Sequence, residues 1–414
     1  MPQDIRVAIE TLGCKLNQAE SEMLARQLMA TGCRLVLPEE QPDVYILNTC
    51  SVTHVADRKS RHLLRMAKRR NPHVMTVAIG CYAEYAAQML RALGVDLVLG
   101  NEGKLRLPQI IRDKFALSGG CRHALAYNRT RALIKVQDGC NWRCSYCIVP
   151  QVRGREKSVP VCEVLSDVKK RAKEGYREVV LTGTEIGSFN ADGMKIKELL
   201  QQILENTTIE RLRISSLQPY EITPDLLALW HSQRLCRHFH MSLQSGADSV
   251  LRRMKRGYSG ADYKNALTLI KAVIPDVAVT TDVIVGFPGE TEDEFHETVD
   301  FCCNIGFARI NVFPYSPRPG TEAAMMEGQV SAFVKKKRVC CMLALAKEES
   351  RIFNSRFVDR ELLVLWEQSQ NGVLSGYTSQ YVRVYASGGD DLTNTIGSVR
   401  LLKIYKDGLW GETQ

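Results

Sequence analysis

A chain of 414 residues with 45% apolar side chains has material for roughly two or three cored domains, and no low-complexity tract or internal repeat points to a fibrous or solenoid build. No apolar run approaches the roughly 20 residues needed to span a bilayer, and the N-terminal MPQDIRVAIETLGC has an early acid and no apolar h-region, so a membrane protein or a signal peptide is not expected and a cytoplasmic location follows. The formal charge of +9 suits an acidic partner, although its distribution says more than its total.

Residues 1–116 alternate apolar strands with helices. IRVAIETLG, DVYILNT, VMTVAIG and VDLVLG read as strands, separated by ESEMLARQLMATG, a basic helix and AEYAAQMLRALG. That alternation predicts a doubly wound parallel sheet. The basic helix, DRKSRHLLRMAKRR (57–70), carries seven Lys or Arg against one Asp, with Leu63, Leu64 and Ala67 available for its buried side. It is either a solvated face or a nucleic-acid surface. Arg153, Arg155, Lys157 and RRMKR (252–256) add further basic positions.

Residues 117–131 lose the pattern and read as a linker. From 132 to 352 a second α/β alternation supplies six candidate strands: ALIKVQ, EVVLTG, RLRISSL, HFHMSLQ, VAVTTDVIVG and RINVFPY. Six βα units predict a partial (β/α)6 barrel, more open than a complete eight-stranded one. A Lys-, Ala- and Leu-rich helix closes this span. Residues 353–414 alternate apolar and polar around Gly- and Asn-rich breaks, as a small antiparallel β-barrel does.

Fourteen cysteines are many for a cytoplasmic chain, where clustered thiols bind metals or act in catalysis more often than they form disulfides. Cys33, Cys121, Cys162, Cys236, Cys302, Cys303, Cys340 and Cys341 are scattered or in helix-like segments and are expected to be small buried hydrophobes. Two sets of three differ. Cys14, Cys50 and Cys81 each end a predicted strand, where parallel sheets gather ligands; chance placement of buried cysteines is the competing explanation. Cys140, Cys144 and Cys147 form C-x3-C-x2-C after the first strand of the second sheet. Zinc with a distant fourth ligand would be one use for such a trio. A [4Fe–4S] centre is the other, with one iron left open for a substrate or cofactor.

C-x3-C-x2-C with Tyr146 before its last cysteine, on a partial βα barrel, resembles the radical S-adenosylmethionine superfamily. The resemblance implies that the open iron chelates the amino and carboxylate groups of S-adenosylmethionine, whose reductive cleavage gives a 5′-deoxyadenosyl radical. It implicates Tyr146, then Gly183, Thr184 and Glu185 in TGTE for the methionyl amino group, Ser242 and Gln244 in MSLQSG for the ribose, and Val285 in DVIVGFPGE for adenine.

The whole chain resembles the methylthiotransferase branch, through the N-terminal cysteine trio, VRGREKS (152–158), PYSPRPGT (314–321) and a C-terminal barrel like the TRAM module. By that resemblance Cys14, Cys50 and Cys81 hold a second [4Fe–4S] cluster that bears or donates sulfur, one S-adenosylmethionine supplies the methyl group, and another yields the radical. No catalytic residue is assigned beyond the cluster ligands. TLGCKLNQAES (11–21), with Lys15 and Gln18, is closest to enzymes acting on N6-threonylcarbamoyladenosine at position 37 of tRNA, although an aromatic commonly stands where this chain has Ala19. The isopentenyladenosine branch is the alternative substrate class, and a non-catalytic iron–sulfur RNA-binding or redox-sensing protein the alternative outside enzymes. Implied partners are the tRNA anticodon stem-loop and an electron donor such as flavodoxin or ferredoxin. Tyr377, Tyr381, Arg383 and Tyr385 are candidates either to stack on RNA or to fill the small barrel. The target purine would have to be turned out of its stack, toward one chamber shared by both clusters.

Overall fold

The computed structural model describes residues 5–117 and 130–413; Cys121 and most of the expected linker lie outside them. The chain is α/β and forms two compact units. The first comprises the N-terminal residues to 128 together with 138–156 and 316–324; the second holds 129–137, 157–315 and 325–414.

In the first unit, β1 (Arg6–Thr11), β2 (Arg34–Leu35), β3 (Val44–Thr49), β4 (Met75–Gly80) and β5 (Leu97–Leu99) make one parallel sheet in the order β2-β1-β3-β4-β5. Every residue of β3 and β4 is buried, as expected of strands covered on both faces. The two-residue edge strand β2 escaped the sequence reading because two residues show no period. Helices α1 (Lys15–Ala30), α2 (His54–Arg70), α3 (Cys81–Tyr85), α4 (Ala87–Ala92) and α5 (Leu107–Lys114) complete the layers. Thr53 caps α2 by accepting from the Ala56 N–H. Only Leu64 of that helix's apolar trio is fully buried, while Arg58, Lys59, Arg65 and Arg69 are exposed along one face.

In the second unit, strands Arg131–Lys135, Glu178–Thr182 and Arg211–Ile214 pair in parallel, as do His238–His240, Ala278–Val285 and Arg309–Pro314. Parallel bridges Leu212–Leu235 and Ser216–His240 stitch the two triplets. Among the described residues the sixth strand does not pair with the first, which leaves the barrel partial. Its helices start on capping boxes at Ser259–Asp262 and Thr291–Glu294, and the latter helix ends on Gly306 in the left-handed region. The buried core draws on Val179, Leu181, Leu199, Leu212, Phe239 and Val283. No described helix is long and apolar enough to cross a membrane.

Strands Glu361–Gln370, Val373–Thr378, Arg383–Ser387, Ile396–Tyr405 and Gly408–Thr413 close into a five-stranded barrel around the buried Trp366. One pairing, Val384–Leu409 with Tyr385–Trp410, is parallel, so the barrel is not wholly antiparallel. It sits on the amino ends of the partial barrel's strands. Arg211 donates to the carbonyls of Tyr377 (3.0 Å) and Leu363 (2.8 Å). Arg213 grips Glu178 (2.7 Å) and reaches the carbonyls of Ser379 and Thr378. Tyr377 stacks on Tyr381 at 4.8 Å; the Arg131 guanidinium lies over both rings and that of Arg213 over Tyr381. Tyr377 and Tyr381 therefore do not fill the small barrel: they form part of its seat. Because this seat is at the amino ends, the small barrel does not occupy the carboxyl ends, where barrels of this kind bind ligands.

Of the cysteines expected to be buried hydrophobes, Cys33, Cys236 and Cys302 are buried. Cys162, Cys303, Cys340 and Cys341 are exposed, because their helices turn those positions outward; helical periodicity was too weak there to show it.

Arg213 and Glu178 are both fully buried, so removing one charge strands the other. Glu178→Gln is expected to lose about 3 kcal/mol or more of stability, read by denaturant unfolding, whereas replacing the exposed Glu210 should cost under about 1 kcal/mol.

Candidate metal centre and cofactor site

Cys14 follows β1 by three residues, and Cys50 and Cys81 directly follow β3 and β4. Since β1, β3 and β4 are adjacent and parallel, all three thiols come to one rim. Side-chain bonds to the backbone hold them there. The Thr49 hydroxyl donates to the Ile79 carbonyl (2.7 Å) and accepts from the N–H groups of Tyr82 and Ala83 (both 3.1 Å), tying the Cys50 turn to the Cys81 turn. The Asn17 amide donates to the carbonyls of Leu12 (2.8 Å) and Thr49 (3.0 Å), tying the Cys14 turn to the Cys50 turn. Gly13 has φ +95°, and a Cβ there would lie 2.7 Å from Cys50 Sγ, so only glycine lets the two turns approach.

The second trio lies in the same unit. The Cys147 N–H donates to the Cys144 carbonyl (3.0 Å), folding C-x2-C tightly, and the Cys140 N–H reaches the Gly154 carbonyl (3.2 Å). Gly139 precedes it with φ +72°, and a Cβ there would sit 2.1 Å from the Arg155 carbonyl oxygen. The VRGREKS segment thus folds back onto the start of the cysteine loop, which explains the proximity of the two motifs in sequence. Ile148, which precedes α6 (Val149–Arg153), and Val152 within it pack on Cys81. PYSPRPGT joins them: Gln151 donates to the Gly320 carbonyl, and the Ala323 N–H to that of Ser145. The buried Arg318 binds Asp57 (2.6 Å) and Ser51 (2.9 Å) beside Cys50.

All six cysteines are free thiols. Among the described residues no three His, Cys, Asp or Glu groups converge as the ligands of a single ion would; an iron–sulfur cube places each thiolate on a different iron and needs no such convergence. The donor set, soft and all-sulfur, suits such a cluster. Burial pushes the Cys50 thiol up to about 12 and raises that of Cys14, where Arg153 works against the rise. Cluster binding at this rim therefore displaces protons. Cys14 keeps one side open to solvent and stands at the N-terminus of the 16-residue α1, where the helix dipole favours a thiolate.

The residues implicated in S-adenosylmethionine binding, Tyr146 apart, stand at carboxyl strand ends of the second unit. Gly183, Thr184 and Glu185 follow Glu178–Thr182, and one side-chain oxygen of Gln137 accepts the N–H groups of both Thr184 and Glu185 (2.9 Å each). Gln137 was invisible to sequence reasoning because it acts through a loop 47 residues away. Ser242 donates to Asp282 (3.1 Å), whose carboxylate also takes Asn311 (2.9 Å) and contacts His240 (3.1 Å). Gln244 adopts φ +68° and bridges to the Val283 strand; Val285 ends that strand, fully buried. Glu185 is buried, accepts from Gln218 (3.1 Å) and faces Glu221. Tyr146, partly buried, lies between Cys144 and Cys147 in the first unit.

Residues 134–302 match the family model of the Radical SAM superfamily, and residues 6–100 that of the Uncharacterized protein family UPF0004. A threonylcarbamoyladenosine tRNA methylthiotransferase of Bacillus subtilis is 36% identical over 96% of this chain and 94% of its own. The chain belongs to the radical S-adenosylmethionine methylthiotransferases. The enzyme of the same description from Aquifex aeolicus is 37% identical over 87% of this chain and 92% of its own. A tRNA-2-methylthio-N(6)-dimethylallyladenosine synthase of Syntrophotalea carbinolica is 35% identical over 98% of both. The radical S-adenosylmethionine methyltransferase TsrM of Kitasatospora setae shares the fold, with a TM-score of 0.59 over 78% of this chain and 77% of its own at 15% identity. Membership in this methylthiotransferase family brings with it a [4Fe–4S] cluster, S-adenosylmethionine and a second cluster, and the six thiols supply fitting donors.

Burial, and then repulsion from Glu185, pushes the Glu221 carboxyl up to about 8. A carboxyl raised on folding holds its proton more tightly in the folded state. Its contribution is full below the ordinary value of 4.5 and is lost as pH climbs through about 8. The apoprotein's melting temperature should therefore fall between about pH 5 and 8.5 by more than that of Glu221→Gln, measured by thermal scans; parallel profiles would refute the raised Glu221 carboxyl.

Proposed function

We propose that the enzyme adds a methylthio group to C2 of N6-threonylcarbamoyladenosine at position 37 of tRNA. The observation that carries the chemistry is the gathering of two cysteine trios in one compact unit, three thiols from strand ends and three from the C-x3-C-x2-C loop. The substrate rests on Lys15 and Gln18 after the first cysteine, and on relatives of that name, 35–37% identical along most of the chain.

Cys140, Cys144 and Cys147 would hold one [4Fe–4S] cluster, and Cys14, Cys50 and Cys81 the other. When bound, these groups and S-adenosylmethionine supply the electron, the hydrogen-abstracting radical and the sulfur. The chain's own residues bind and orient. Glu185 would take the methionyl ammonium. The Thr184 and Glu185 backbone is held by Gln137, so the loop keeps its shape before the cofactor arrives. Ser242, steadied by Asp282, and Gln244 would orient the ribose, and the backbone at Val285 the adenine. Tyr146 and Gly183 complete the set. The exposed cations Arg58, Lys59, Arg65 and Arg69 would meet the tRNA phosphates. Reduction calls for a flavodoxin- or ferredoxin-like donor, and this work belongs in the cytoplasm, where tRNA is.

Nucleoside analysis of tRNA from a strain lacking the gene tests the substrate. Loss of the methylthiolated threonylcarbamoyl nucleoside is expected; loss of the isopentenyl one instead would move the enzyme to the other branch. Iron and sulfide should fall by about half when Cys14, Cys50 and Cys81 become Ala, and equal content would refute the second cluster. Replacing Arg58, Lys59, Arg65 and Arg69 by Gln should weaken tRNA binding at least about tenfold at low salt and flatten the log K against log salt slope, by up to roughly 0.7–0.9 per lost phosphate contact; an unchanged slope would assign that helix to solvent.

A further inference from the structure

The polar network between the two cysteine motifs has no place in the roles assigned so far. Arg153 lies six residues beyond Cys147, at the end of α6, yet its guanidinium reaches helix α1. It meets Glu20 through both oxygens (3.1 and 3.2 Å), Asn17 Oδ1 (2.5 Å) and Asp138 (2.9 Å). Lys104 reaches Glu20 from another side at 2.6 Å and Asn101 Oδ1 at 2.8 Å. The Arg153, Lys104 and Glu20 side chains are 3%, 2% and 0% exposed. Hiding two cations and a carboxylate is costly, and such a group is kept where position or field matters more than stability.

The network's outer members touch every turn of the N-terminal trio. Asn17 holds the carbonyls before Cys14 and Cys50, and its Oδ1, the acceptor for Arg153, is 3.9 Å from Cys14 Sγ. The Asn101 amide donates to the Val152 carbonyl at 2.6 Å and lies 3.7 Å from Cys81 Sγ. Arg153 is near enough to act electrostatically on both Cys14 and Cys81. Formally Arg153 and Lys104 balance Glu20 and Asp138, but at Cys14 the attraction of Arg153 outweighs the repulsion from Glu20, and the Asn101 amide points at Cys81 Sγ. Both features favour the more reduced, more anionic state of an iron–sulfur centre.

We propose that Arg153, seated with Lys104 on Glu20, is a positioning residue that locks the three N-terminal cysteine turns and, with the Asn101 amide, raises the reduction potential of the centre they hold. Through Arg153 the segment that follows one trio sets the electronics of the other. This rests on the assignment of Cys14, Cys50 and Cys81 as cluster ligands.

The test uses the full-length chain with Cys140, Cys144 and Cys147 changed to Ala, so that only the N-terminal centre can form. Arg153→Met, Arg153→Lys and Asn101→Ala are compared in that background by iron and sulfide counting and by redox titration followed by electron paramagnetic resonance. Arg153→Met and Asn101→Ala should each shift the midpoint to more negative potential, and Arg153→Lys should recover most of the loss by restoring the charge. Should Arg153→Met retain no cluster, the Asn101→Ala and Arg153→Lys midpoints decide. Midpoints equal to the parent in every variant that binds iron would overturn the proposal and leave Arg153 a brace alone. Absence of iron from the parent background itself would instead sink the ligand assignment on which the proposal rests.

Discussion

Everything chemical in the first unit depends on β1, β3 and β4 lying side by side and parallel. Parallel strands put their carboxyl ends on one rim, so residues 14, 50 and 81 meet without any local motif. An antiparallel neighbour would send one thiol to the opposite edge. Burial of β3 and β4 on both faces protects this arrangement, because a one-residue slip would have to expose apolar side chains somewhere. Thr49 and Asn17 convert a shared rim into fixed distances, since each bonds across two of the three turns.

The same division of labour shapes the second unit. Arginines at the amino ends of the strands seat the small barrel through Glu178 and backbone carbonyls. Carboxyl ends carry the loops of Gln137, Glu185, Gln244 and Val285. Stability is thereby concentrated at one end, while the other can keep strained or charge-repelling features, such as Gln244 with φ +68° and the Glu185–Glu221 pair. A barrel attached at the ligand end would compete with cofactor for the same backbone groups.

Charge is handled differently in the two places where it is buried. Arg213 and Glu178 form a matched pair whose work is attachment. At Glu20 two cations converge on one buried carboxylate, and Arg153, which also pairs with Asp138, acts on the thiols beside it. Only the second arrangement stands beside thiols.

The sequence by itself determined the fold class, the partial barrel, both cysteine trios and the methylthiotransferase resemblance. Each is carried by local signals: hydrophobic period, thiol spacing and strand-end position. Tertiary structure alone decided that the C-x3-C-x2-C loop and PYSPRPGT pack with the N-terminal sheet, that Tyr377 and Tyr381 serve a seat, and that Gln137, Asn101 and Lys104 matter. Those roles arise from side chains meeting across long stretches of chain. A lone Gln, Asn or Lys carries no period or spacing that announces such a partner, so its function exists only once the chain has folded.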